Sequence, residues 1–114
     1  MNEKQIVARF YQSSSGVSPV LEWLRSLPIG DRQAIGQDLA RVEFGWPVGM
    51  PICRALGNGL WEVRSTLPSR RIARLIFCLA GGELFVSHGF IKKSQQTPAP
   101  DLSLAQKCKK EIEL

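Results

Sequence analysis

The glycine pair at 81–82 constrains the fold of this chain more than any other feature, because it separates two runs of strand-forming residues. The runs at 70–80 and 84–93 are rich in Ile, Leu, Phe and Val, which favour strands. A short turn of glycines joins two such strands into an antiparallel hairpin. A third apolar run at 60–66 precedes the turn residues 67–69. The sequence therefore predicts a three-stranded antiparallel meander.

Helical patterns lie on both sides of this meander. Ser18 and Pro19 are typical of an N-cap and a first helical position, and apolar residues then recur at three- and four-residue spacing until Pro28. A second helix is predicted over 31–45, with its first residue as the cap, and a third begins with Asp101 as its cap.

The order of these elements, with a first strand over 5–11, defines the fold class. It predicts an α+β fold: a twisted antiparallel sheet with two N-terminal helices and one C-terminal helix, packed mainly on one face. The length of 114 residues suits a single domain over 1–114. The other face of the sheet is then expected to be open, so that any site lies in a shallow groove there.

The net charge of +5 lies entirely in the middle of the chain. Residues 1–53 hold five bases and five acids, and residues 94–114 hold three of each. The segment between them, residues 54–93, holds two acids and seven bases. The bases are Arg54, Arg64, Arg70, Arg71, Arg74, Lys92 and Lys93. Concentrated positive charge favours a polyanionic partner such as nucleic acid. A solvated surface that only keeps the protein soluble is the alternative.

Cysteine usage and hydropathy indicate where the protein acts. Cys53, Cys78 and Cys108 are widely spaced, which supports neither a zinc site nor a disulfide framework and is typical of thiols in a reducing compartment. The N-terminus lacks the apolar run of a signal peptide, and no stretch reaches the roughly 18–20 apolar residues of a membrane span. We expect a cytoplasmic protein that needs no metal or cofactor.

Strand register decides which charged side chains share the open face, because side chains alternate across a strand. A two-residue turn at 81–82 pairs Leu75 with His88, which directs His88 to the apolar face as a buried, hydrogen-bonded histidine. The same register puts Arg74 opposite Gly89 on the open face.

A three-residue turn at 67–69 would place Glu62 directly opposite Arg74. The groove predicted from both registers contains Glu62, Arg64, Arg70, Arg74 and Lys93. Arg71 and Lys92 are expected to point elsewhere and to make auxiliary contacts. For Glu62 and Arg74, the alternative is a cross-strand ion pair without function, which would contribute about 0.2–1 kcal/mol.

Three segments resemble consecutive motifs of a known family: LWEVR at 60–64, RIARLIF at 71–77 and SHGFIKKSQQTP at 87–98. Their order is similar to that in the HigB-like, phage-associated branch of the RelE/ParE toxin superfamily. The resemblance implies a microbial-ribonuclease-like sheet backed by helices. It also implies a toxin of a type II toxin–antitoxin pair that cleaves mRNA, usually on the translating ribosome, without metal, and is silenced by a helix-turn-helix (HigA-like) antitoxin.

The resemblance also implies roles for individual residues. Arg74 matches the family's arginine of the RNA-cleaving site, and Arg64 and the pair Lys92-Lys93 match further basic positions. In metal-free cleavage the ribose 2′-hydroxyl attacks the adjacent phosphate, so the enzyme must move protons and stabilise a more negative phosphorane. Arg64, Arg74, Lys93 and Glu62 are the predicted catalytic residues, with Glu62 as the base, and Arg54, Arg70, Arg71 and Lys92 are the predicted RNA contacts.

Some features depart from the family pattern and leave other functions open. Several relatives carry a Tyr or His near the end of the last strand, whereas this chain has a single tyrosine, Tyr11, in its first strand and a single histidine, His88. Glu62 is therefore the candidate base in the groove, while the identity of the acid and base in the reaction and the role of His88 stay open. ParE-like relatives share the fold but inhibit DNA gyrase, and a basic groove can also bind nucleic acid without catalysis.

Overall fold

The computed structural model describes residues 3–93 and 96–113. In chain order the elements are β1 (Val7–Phe10), α1 (Pro19–Arg25), α2 (Ile29–Gly45), β2 (Cys53–Gly57), β3 (Leu60–Thr66), β4 (Ile72–Ala80), β5 (Glu83–Ile91) and α3 (Ala99–Glu113). The predicted α+β class, with two N-terminal helices and one C-terminal helix, is confirmed. None of the helices in the described ranges has the length and apolar character needed to cross a membrane.

The five strands form one sheet in the order β1-β5-β4-β3-β2. Strand β1 runs parallel to β5, and every other pairing is antiparallel, so the sheet is mixed and the prediction of a purely antiparallel sheet is wrong at this edge. Strand β2 was not predicted. Its five residues, CRALG, are too few to show a clear alternation, and it forms by pairing with β3.

Helices α1 and α2 cover one face of the sheet, as expected. The buried residues Ile35, Leu39 and Val42 of α2 recur at helical spacing and pack in one cluster with Leu75 and Phe77 of β4. Burying a side chain of this size contributes about 1.5–3 kcal/mol. Helix α2 begins at Ile29, before the predicted start at Asp31, because Pro28 is the N-cap and its carbonyl accepts from the backbone N–H groups of Asp31 and Arg32. Asp31 lies buried in the first turn.

Helix α3 covers part of the opposite face, which was expected to be open. Ala105 is buried in a second apolar cluster with Leu60, Ile76 and Cys78, and Leu102 packs against it. The helix begins at Ala99, so Asp101 lies inside its first turn and is not the cap. The exposed portion of this face is therefore restricted to the area that α3 leaves uncovered.

A β-bulge changes the register between β4 and β5. Next to the glycine turn, Phe77 pairs with Val86 as predicted, but Ile76 then pairs with His88, and Ser87 is the extra residue. An extra residue in one strand moves every following side chain to the other face. His88 consequently lies on the α3 face, so its predicted position on the apolar face is wrong.

The turn between β3 and β4 is longer than predicted. Thr66 pairs with Ile72, the backbone N–H of Leu67 donates to the carbonyl of Arg71 at 2.9 Å, and Arg70 adopts a positive φ of 67°. The register differs from the predicted one by two residues, which leaves each side chain on its predicted face. Arg64 now lies opposite Arg74, and Glu62 lies opposite Ile76 instead of Arg74.

Candidate nucleic-acid interface

Four basic side chains from successive strands surround one carboxylate on the α3 face of the sheet. Arg54 of β2 pairs in register with Glu62 of β3, and Arg64 of β3 pairs with Arg74 of β4. Lys92 follows β5, where its backbone N–H donates to the carbonyl of Ile72 at 2.7 Å. We call this set the cationic cluster; its members are Arg54, Glu62, Arg64, Arg74 and Lys92.

Glu62 lies at the centre of the cationic cluster and is buried. Its Oε1 contacts Nη2 of Arg54 at 3.0 Å and Nε of Arg74 at 3.6 Å. Its Oε2 accepts a hydrogen bond of 3.0 Å from Oγ1 of Thr97. Thr97, just before α3, therefore lies against this part of the sheet. Both carboxylate oxygens are therefore engaged by protein groups.

The cationic cluster carries more positive than negative charge. Partial burial lowers the pKa of Lys92 from its usual 10.5, and the charges of Arg64, Arg74 and Arg54 lower it further, while Glu62 acts in the opposite direction. Four basic side chains near one carboxylate leave the cationic cluster with an excess of positive charge. A bound anion would relieve this repulsion.

The members of the cationic cluster differ in solvent accessibility. Arg74 is buried, whereas Arg64 is exposed and Arg54 is partly so. Arg64 also lines an open cleft of about 520 Å³ against α2, where Gln37 and Arg41 provide further polar groups. An incoming anion therefore meets Arg64 and Arg54 first.

The structure brings together three of the four predicted catalytic residues, Glu62, Arg64 and Arg74. The fourth, Lys93, lies elsewhere: it lines a separate cavity, and its neighbour Lys92 joins the cluster instead. The bulge in β5 explains the exchange, because it reverses the faces that the two lysines were expected to occupy. Arg54, predicted only as an RNA contact, is a member of the cluster. Ser94 and Gln95, which follow these lysines in the quoted motif, lie outside the described residues.

Arg71 belongs to a different arrangement. Its Nη2 donates to Oδ2 of Asp31 at 3.2 Å, and the Oγ of Ser69 donates to the same oxygen at 2.8 Å. Burial alone would raise the pKa of Asp31, but the hydrogen bonds from Ser69 and Arg71 outweigh burial and lower it. These contacts tie the β3–β4 turn to α2. Arg70 is exposed in that turn and precedes β4, so its predicted place on the strand is wrong.

His88 has a partner that the sequence did not reveal. Its Nε2 lies 2.5 Å from Oδ1 of Asp101 in the first turn of α3, and both side chains are about one-fifth exposed. The predicted hydrogen bond of His88 exists, although on the opposite face. Asp101 and Thr97 were missed as site neighbours because no periodic pattern indicates where a helix after a long connection will lie.

The fold and the cationic cluster together define a small α+β domain whose sheet presents a basic face. The chain belongs to the family described as "Phage derived protein Gp49-like (DUF891)", whose sequence model matches residues 22–110. This family is part of the RelE/HigB-like toxin superfamily and is associated with toxin–antitoxin systems. No curated protein matches the chain at a significant level.

Proposed function

We propose that this protein is the toxin of a type II toxin–antitoxin pair and a metal-independent endoribonuclease that cleaves mRNA on the ribosome. The family supports the toxin role. The observation that carries the nuclease role is the gathering of Arg54, Arg64, Arg74 and Lys92 around a single carboxylate. Its place of action is the cytoplasm, and its inhibitor is a helix-turn-helix antitoxin.

The cationic cluster suits the transition state of 2′-hydroxyl attack. Arg64 and Arg74 face each other across neighbouring strands, where Cβ atoms are about 5 Å apart. Because their side chains begin this close together, both guanidinium groups can reach the non-bridging oxygens of one phosphate. The phosphorane carries more negative charge than the ground-state phosphate, so fixed donors stabilise it more strongly. Lys92 adds a third charge.

The contacts of Glu62 favour a positioning role over the general-base role suggested by the sequence. A base must lie within hydrogen-bond reach of the 2′-hydroxyl whose proton it accepts, and Glu62 is buried. In Glu62, Oε1 faces Arg54 and Arg74, and Oε2 accepts from Thr97. We therefore assign Glu62 the role of holding Arg54 and Arg74 in orientation. A site of oriented cations is slow alone, which fits an enzyme that gains substrate orientation from the ribosome.

Inducible expression with mapping of mRNA 5′ ends tests the proposal. Wild-type protein should arrest growth and produce new 5′ ends within translated messages. Arg74→Ala should produce neither, and Arg64→Ala, at an exposed position, provides a second variant that keeps the fold. Lys107→Ala on the exposed side of α3 is the matched control and should cut like the wild type.

Two other outcomes would contradict the proposal. Intact transcripts with altered plasmid topology would indicate a gyrase inhibitor of the ParE type. Normal growth during expression without an antitoxin would indicate a nucleic-acid-binding domain that lacks catalysis. Circular dichroism of each purified variant separates loss of function from loss of fold.

A further inference from the structure

A separate cavity of about 440 Å³ lies beside the cationic cluster, at the edge of β5. Strand β1 pairs with β5 only over 83–86, so within the described ranges no strand pairs with the later stretch 88–91 on this side. The residues that line the cavity include Trp23, His88, Phe90, Lys93 and Asp101. They combine aromatic rings with charged groups in an open depression.

Gly89 allows an aromatic ring to lie against the strand. A Cβ atom at Gly89 would lie 2.5 Å from a carbon of the Trp23 ring, closer than any real contact. The absence of a side chain therefore creates the place that Trp23 occupies. On the other side of the strand, the rings of His88 and Phe90 are 6.0 Å apart, and Asp101 holds the histidine. Three rings thus border one depression.

The cavity and the cationic cluster share β5. Phe90 pairs directly with Arg74, and Lys92, two residues further along, is a member of the cluster. Paired residues on neighbouring strands are about 5 Å apart, and two residues along a strand span about 7 Å. The Phe90 side of the cavity and a phosphate bound at the cluster therefore lie within the reach of one or two linked nucleotides.

We propose that this cavity binds one nucleobase of the RNA strand whose phosphates contact the cationic cluster, with the base stacked on Trp23. The proposal rests on the proposed function, because it takes RNA as the ligand. Proteins bind unpaired bases on aromatic side chains, and basic residues alongside hold the sugar-phosphate backbone. Lys93, an exposed residue of the cavity lining, supplies such a charge. Trp23 then determines which nucleotide, counted from the cleaved phosphodiester bond, must carry a base for tight binding.

A set of non-cleavable RNAs tests this assignment. The ligand is a 2′-O-methyl hexaribonucleotide, which cannot be cut because its 2′ oxygens are blocked, and each member of the set lacks one base. Loss of the base at one position should lower affinity about 10-fold, which is typical of one stacked base. Loss at the remaining positions should change affinity less than about 3-fold.

Variants of residue 23 connect that base to the cavity. In Trp23→Leu, which keeps apolar contact with Gly89 but has no ring, removal of the sensitive base should have no further effect. Trp23→Phe keeps a ring and should retain most of the difference. Phe44→Ala removes an exposed aromatic side chain from α2 and should behave like the wild type. Quenching of tryptophan fluorescence on binding should be reduced by Trp23→Phe.

Equal affinity for all members of the set would overturn the base site, as would a uniform loss of affinity in Trp23→Leu. The proposed function fails separately, when the wild type cuts no mRNA. Because the binding assay uses RNA that cannot be cleaved, a base-specific loss without any cleavage would keep the cavity assignment and reject the nuclease.

Discussion

Arg71 and Arg74 lie three positions apart on the same stretch of chain, yet their surroundings differ in charge balance. Arg71 meets one buried carboxylate, that of Asp31, and shares it with Ser69. Arg74 shares one carboxylate, that of Glu62, with Arg54, while Arg64 and Lys92 are also near. The first arrangement is neutral, and the second has three positive charges in excess.

This difference separates a structural arginine from a binding arginine. A neutral, hydrogen-bonded pair between a turn and a helix stabilises the fold and has little attraction for an anion. An excess of cations around one carboxylate costs stability unless an anion binds. Sequence composition counts Arg71 and Arg74 alike, and only their three-dimensional partners distinguish them.

The largest expected contrast is between Arg64→Ala and Arg71→Ala. Arg64→Ala should lower cleavage of ribosome-bound mRNA on the order of 100-fold, as when one donor to a developing oxyanion is removed. Its effect on stability should stay within about 0.5 kcal/mol, because the side chain is exposed. Arg71→Ala should cut at a rate within about 3-fold of the wild type and lose about 1 kcal/mol. Single-turnover cleavage and urea unfolding measure the two effects. If Arg71→Ala lowered the cleavage rate as much as Arg64→Ala, the distinction between a structural and a binding arginine would be wrong.

The contacts of Asp31 should stabilise the fold at neutral pH and lose their effect in acid. Asp31→Asn should lower Tm by about 5–10 °C at neutral pH, because the amide cannot replace the charged contacts with Ser69 and Arg71. The folded-state pKa of Asp31 is lowered from 3.8, so its stabilisation is present above that value and is lost as pH falls through the folded-state pKa.

The difference in Tm between wild type and Asp31→Asn should therefore shrink in acid. Thermal unfolding at neutral pH and below pH 3.8 checks this, with Glu22→Gln on the exposed side of α1 as the control. A difference that stays constant across this range would mean that Asp31 acts through packing and not through its charge.

Alternating apolar residues predicted the face of most strand side chains. Val63, Leu75 and Phe77 are buried on the α1–α2 face as expected, because a wrong face would expose them all to water. The predicted turn of three residues between β3 and β4 was too short, but the error of two residues preserved every face. The faces of Glu62, Arg64 and Arg74 were therefore predictable although their exact partners were not.

The remaining errors come from features with no periodic signal. A bulge at Ser87 is a single extra residue, and nothing in the alternation of SHGFIKK marks it, so His88, Lys92 and Lys93 were assigned to the wrong faces. The place of α3 depends on packing against β4 and β5 across a connection whose path the sequence does not specify. Thr97 and Asp101 reach the site only through that placement.

The salt dependence of RNA binding tests whether Lys92 contacts the phosphates. Lys92→Met should reduce the slope of log affinity for single-stranded RNA against log salt concentration by about 0.7, the value for one released counterion. At moderate salt this amounts to a few-fold loss of affinity. Lys107→Met, on the exposed side of α3, should leave the slope unchanged. Equal slopes for wild type and Lys92→Met would remove Lys92 from the RNA-binding surface.

The smallest effect is expected at the alkaline end, at Lys92, whose charge destabilises the fold, whereas the charge of Asp31 stabilises it. Partial burial and the neighbouring arginines lower the folded-state pKa of Lys92 below 10.5, so the unfolded chain binds the proton more tightly. Stability of the wild type relative to Lys92→Met should therefore rise as pH increases from that lowered pKa toward 10.5. Added salt at neutral pH should act in the same direction, because it screens the repulsion. Urea midpoints of both proteins across this range test the sign. A relative stability that falls with rising pH would mean that Lys92 is held by a favourable partner in the free protein, and the excess of positive charge would then be smaller than the four-to-one count implies.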